Sequence, residues 1–174
     1  MGTFWDTIAD EAARESPLWG ASLLPSHARQ LVAVFSPLGE ERYGLGLETI
    51  YEGYLLHYGR PRLFAPADRD TALLLGDYLY AHGLVRVAAF GEVAAVADLA
   101  ELISLCAQLR AESANGDGPA WAATAALLGA GGLDGARDAL RVDGDPGPLA
   151  ELARSAAGAE AVEHALSAHR IRVG

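Results

Sequence analysis

Residues 71–84 read TALLLGDYLYAHGL (Thr71–Leu84): nearly every side chain is apolar, there is no proline, and Asp77 is the lone carboxylate. Leu73, Tyr80, Leu84 and Val87 return at close to 3.6 residues, the period of a helix that turns one face to a core. The remaining positions are also short of polar groups. A helix apolar on all sides has to be buried on all sides, and a small bundle cannot easily do that without a partner.

The chain on either side supports a helical protein. Thr3 is suited to cap a first helix to about Glu15, with Phe4, Ile8 and Ala12 on one face. Pro17 ends it, and Pro25-Ser26 is expected to start a second helix through Leu31, Val34 and Phe35, closed by Pro37. A third is expected from about Glu40 to Tyr58, closed by Gly59 and Pro61. Asp68 and Asp70 place acidic groups at the start of the fourth helix, which runs to about Ala89, where they suit the helix dipole. The fifth, Glu92 to Glu112, repeats Val93, Val96, Leu99, Ile103, Cys106 and Leu109 on one face. SANGDGP (Ser113–Pro119) reads as a loop. Two short helices follow, about Trp121–Leu128 and Leu133–Leu140, and then a last one from about Leu149 to His169. The expected fold is all-α: one domain over residues 1–174, a bundle of about seven or eight mostly antiparallel helices.

Composition narrows the function. Ala and Leu dominate and β-branched residues rarely cluster, which favours helix over sheet. The formal net charge is −10 and all thirteen basic residues are scattered arginines, so nucleic acid and anionic membranes are disfavoured as partners. A single cysteine, Cys106, excludes an intrachain disulfide and a cysteine zinc cluster, and its helical context reads as core. No apolar run approaches the roughly 18 residues of a membrane span and no signal sequence opens the chain, so a soluble, cytoplasmic protein is expected.

Three fragments then carry a resemblance. Gly59-Arg60-Pro61 followed by Gly76-Asp77 matches the spacing of the RRGRPT…VLAGDYLLARA stretch of trans-type polyprenyl diphosphate synthases, with Asp77 sixteen residues after Pro61. ETIYEGYLLH (Glu48–His57) is similar to that family's ELIHTASLIH, and TAALLGAGGLDGA (Thr124–Ala136) to its KTAALFAAACELGA. In the family, two aspartate-rich motifs hold Mg²⁺ against a diphosphate while lysine and arginine neutralise the rest. Here His57 runs directly into Tyr58-Gly59, Ala123 stands where a lysine belongs, and there is no lysine and no adjacent pair of aspartates. The resemblance therefore implies a truncated, isoprenoid synthase-like bundle without the family's chemistry, closest to the small non-catalytic subunits of two-component enzymes such as heptaprenyl diphosphate synthase component 1. It implies no catalytic residue and no cofactor.

By that resemblance the partner is a catalytic polyprenyl diphosphate synthase subunit, whose stability or product chain length this chain would influence, or a second copy of itself. The implied interface lies on the fourth and fifth helices at Leu73, Leu74, Asp77, Tyr78, Tyr80, Leu84, Val96, Leu99 and Ile103. One alternative is a self-associating module holding a lipid or isoprenoid in an apolar cavity near Tyr54, Leu55 and Tyr80. Another is an enzyme with a relocated metal site built from Glu48, Glu52, His57 and Asp77. The plainer readings are that Asp77 is a partly buried packing carboxylate, Glu48 and Glu52 a solvated i,i+4 pair, and His57 and His82 capping or packing residues. Trp5, Trp19 and Trp121 read as core or interface anchors.

Overall fold

Thr3 accepts the backbone N–H of Asp6 while Asp6 reaches back to Thr3, a reciprocal capping box that starts α1 (Phe4–Glu15). A computed structural model describes residues 3–173; Met1, Gly2 and Gly174, part of the expected single domain, lie outside the described residues. After α1 come α2 (Pro17–Ala21), α3 (Gly44–Tyr58), α4 (Arg69–Ala88), α5 (Val93–Ala111), α6 (Asp117–Ala126), α7 (Asp134–Asp143), α8 (Gly147–Ala157) and α9 (Ala159–Val173). The only extended pairing among the described residues is an isolated antiparallel bridge between Leu23 and Phe64, so the all-α bundle is as expected.

The second expected helix does not form. Residues 26–38 hold two single-turn 3₁₀ segments, Ser26–Ala28 and Ser36–Leu38, joined by extended chain. The cause is non-local. Residues 22–32 hydrogen-bond to the segment after α3: Leu24 N–H donates to Leu63 O at 2.8 Å, Gln30 N–H to Arg62 O at 3.1 Å, and Ala65 N–H to Ser22 O at 2.7 Å. Strand-like pairing satisfies these backbone groups as well as a helix would have done. Pro17 does not simply stop α1; it occupies the first turn of α2, where its missing N–H costs nothing. The expected last helix is two. Gly158, at φ +90°, separates α8 from α9.

The core is organised on α3, in which every residue from Gly46 to Leu56 is buried. Tyr51, Tyr54, Trp121 and Phe35 form its aromatic centre, with Phe35 stacked on Trp121 at 5.6 Å and Tyr51 edge-on to Trp121 at 5.1 Å. Cys106 is buried there, with its thiol pushed up by burial. A second, smaller cluster packs Trp5 and Ile8 of α1 against Leu56, Leu75 and Leu79. Helices α3 and α4 approach closely because glycines face each other along the seam. A Cβ on Gly53 would come 2.9 Å from Gly76 O, and one on Gly83 only 2.3 Å from Ile50 Cγ1.

Candidate functional site

The four carboxylate and histidine positions considered for metal do not converge. Glu48 and Glu52 are not solvated; both are buried beneath Arg62, which is itself fully buried. Arg62 Nη1 donates to Glu48 Oε2 at 2.5 Å and Nε to Glu52 Oε2 at 2.9 Å. Glu52 Oε1 also accepts the backbone N–H groups of Arg62 and Leu63, and Arg62 Nη1 donates to Val32 O. The guanidinium lies between the rings of Trp5 and Tyr51, at 4.5 and 4.9 Å. Burial works against its charge, but the two carboxylates outweigh that and raise its pKa. This cluster fastens the extended segment of residues 22–35 and the chain after α3 to the central helix.

His57 and Asp77 meet elsewhere. His57 Nε2 lies 3.1 Å from Asp77 Oδ1, yet the contact is too poorly aligned to satisfy the nitrogen as a hydrogen bond. The His57 ring stacks on Tyr80 at 5.1 Å, and burial lowers its pKa although Asp77 pulls the other way. The Asp77 side chain is 71% exposed, not partly buried as expected. It is rotated outward from Leu73, Tyr80 and Leu84, which are themselves only half-buried, so it emerges into solvent. Among the described residues no three histidine, cysteine, aspartate or glutamate side chains group as metal ligands.

The densest polar site was not anticipated. Asp117 begins α6 inside the expected Ser113–Pro119 loop, at the edge of a hollow of about 460 Å³. Its Oδ2 accepts from Tyr54 Oη–H, Arg110 Nη2–H and His169 Nε2–H, the last at 3.2 Å. His169 Nδ1 then accepts Tyr51 Oη–H at 2.9 Å, a tautomer set by the carboxylate on the opposite nitrogen. Burial alone would raise the Asp117 pKa, but hydrogen bonds from His169 and Tyr54, with the charge of Arg110, hold it well below the carboxylate range. An Asp–His–Tyr chain suggests proton relay; Tyr51 is sealed inside the core, and His169, only 2% exposed, borders the hollow beside Asp117. The network's donors and acceptors are used on one another. It ties α9 to α3, α5 and α6.

Tyr54 and Leu55, placed beside an apolar cavity, are fully buried in packed core, and Tyr80 is covered by His57. Trp5 and Trp121 are core residues, and Trp19 packs at the edge of the smaller cluster against Tyr78.

The implied interface divides. Leu99 is fully buried and presents nothing to a partner. Leu73, Tyr78, Tyr80, Leu84, Val96 and Ile103 are half-buried, whereas Leu74 is 58% exposed. Val85 near the end of α4, Phe90 in the turn and Val93 at the start of α5 are 65, 47 and 80% exposed. On α4 the exposed residues Leu74, Asp77, Ala81, Val85 and Ala88 recur at helical spacing; on α5 so do Val93, Ala97, Ala100, Ser104 and Ala107, with Glu101 exposed beside Ala100.

Compared with protein-family models, with curated proteins and with solved structures, the chain matches none. What stands is the class: an all-α bundle in which no helix among the described residues is long and apolar enough to cross a membrane.

Proposed function

We propose that the chain acts by association and not by turnover: it is a non-catalytic subunit that docks, through the α4–α5 face, a catalytic polyprenyl diphosphate synthase subunit, and so influences that enzyme's stability or product chain length. The observation that carries the reading is the exposure of Leu74, Val85, Phe90 and Val93 on α4, α5 and the turn between them, with half-buried Leu73, Tyr80, Leu84, Val96 and Ile103 on the same two helices. The buried charged groups around Arg62 and Asp117, by contrast, are used on one another. The three sequence fragments supply the identity of the partner.

Charge favours a different subunit over a second copy. A two-fold pairing brings each surface against itself, so Asp70 and Asp77 on α4 would meet their own acidic surroundings at a net charge of −10 per chain. A partner with basic residues around an apolar patch suits the face better. Co-expression with a synthase encoded beside this chain tests the proposal: a stable one-to-one complex with changed product length is expected, and failure to bind any such synthase overturns it.

A further inference from the structure

Away from the α4–α5 face, a cationic seam joins the segment after α3 to the end of α9. Arg60 N–H donates to Arg172 O at 2.9 Å, and Arg60 Nη2 donates to Ile171 O. Arg172 Nη2 donates to Gln30 Oε1 at 3.0 Å. These bonds hold both guanidiniums at the edge of a hollow of about 190 Å³ lined by Gln30, Arg60, Pro61, Ile171 and Arg172. Behind it lies the buried Arg62. In a strongly acidic chain the crowding is unusual, because neither Arg60 nor Arg172 makes an ion pair among the described residues. Other arginines share that lack, but these two face one another. The carboxylate that acts on Arg172, Glu52, is already taken by Arg62 and two backbone N–H groups. Burial, then Arg62, and also Arg60, lower the pKa of Arg172.

We infer that this seam binds a small tetrahedral oxyanion, either inorganic phosphate or the phosphate of a phosphomonoester. Arg60 Nε and Nη1, Arg172 Nε and Gln30 Nε2 have no acceptor among the described residues, so donors from three side chains border one small hollow. Guanidinium forks match such an anion, and charge-assisted bonds to it are the stronger kind. An anion here neutralises the repulsion between Arg60, Arg62 and Arg172 and fastens the end of α9 to the segment that carries Arg62.

Thermal unfolding of the full chain at fixed pH and ionic strength, in chloride, acetate, inorganic phosphate or phenyl phosphate, tests the assignment. A saturable rise of the midpoint is expected in at least one phosphate arm, and the arm that saturates identifies the source. In R60Q and R172Q the apparent dissociation constant should rise at least about tenfold, whereas R154Q, an arginine on α8 that makes no ion pair among the described residues, should respond as the parent does. If R172Q melts too early to follow, the Gln30 side-chain amide resonance in R60Q and in the parent gives the same comparison at low temperature. A rise in acetate equal to that in phosphate, no saturable response in either phosphate arm, or unchanged affinity in R60Q and R172Q overturns it.

Discussion

Arg62 stands against two carboxylates with no water between them, and that arrangement sets its energetic weight. Desolvating three charges costs several kcal/mol per ion, which only close geometry and complete hydrogen bonding offset. The cluster has both, through Ser36, Val32 and Leu63 as well as the ionic contacts. Replacing Arg62 by Met keeps much of the volume but leaves Glu48 and Glu52 buried without their cation, so R62M should lose about 3–5 kcal/mol in urea unfolding. Asp117 gives a second prediction at this scale. Its pKa is depressed in the folded protein, so its contribution is fully present above the unfolded value of 3.8 and is lost as pH falls through the folded value. Stability measured from pH 5 downward should therefore fall less steeply in D117N than in the parent, from a lower starting level; equal slopes would remove Asp117 from the acid limb.

At the scale of elements, the α3–α4 seam depends on facing glycines. A methyl on Gly53 meets the backbone oxygen of Gly76, which cannot rotate away, so G53A should cost about 1–3 kcal/mol by overpacking. Gly135, within α7, has open space around its Cβ position, and G135A should stabilise by about 0.4–1 kcal/mol through the unfolded chain. Parallel denaturant titrations of the two variants should move in opposite directions. The same elements show how far local sequence reaches. Caps and apolar period placed α1, α4 and α5 to within a residue or two, because those signals are local. Pro25 to Phe35 reads as a helix too, but Ser22, Leu24 and Gln30 pair through their backbone with residues 62–65, a contact that no window of neighbouring residues contains. The spacing of Glu48 and Glu52 showed that they share a face and was silent on which face, since the answer lay with Arg62 beyond the helix. Asp117 lay within a glycine-rich run that read as loop, and the partners that give it meaning are up to 63 residues away. Gly158 was hidden by the strong helix propensity of the alanines on both sides.

For the molecule as a whole, the question is why a chain of this size leaves Leu74, Val85 and Val93 in water. Phe4, Leu18, Leu31, Val32, Val142 and Ile171 are exposed elsewhere as well. Scattered exposed apolar residues are ordinary; four large ones on two consecutive helices and the turn between them fit a surface that something covers. An acidic rim and a net charge of −10 keep free copies apart and favour a basic partner. A charge placed in the middle of the patch should abolish docking without unfolding the monomer, since Val85 is 65% exposed. The most direct measurement is the mass in solution of the parent chain and V85D, each alone and mixed with a neighbouring catalytic synthase subunit. Association through this face predicts a monomer for both chains alone, a one-to-one complex for the parent, and none for V85D. A parent chain that stays monomeric in the mixture, or a complex that V85D forms equally well, would contradict it.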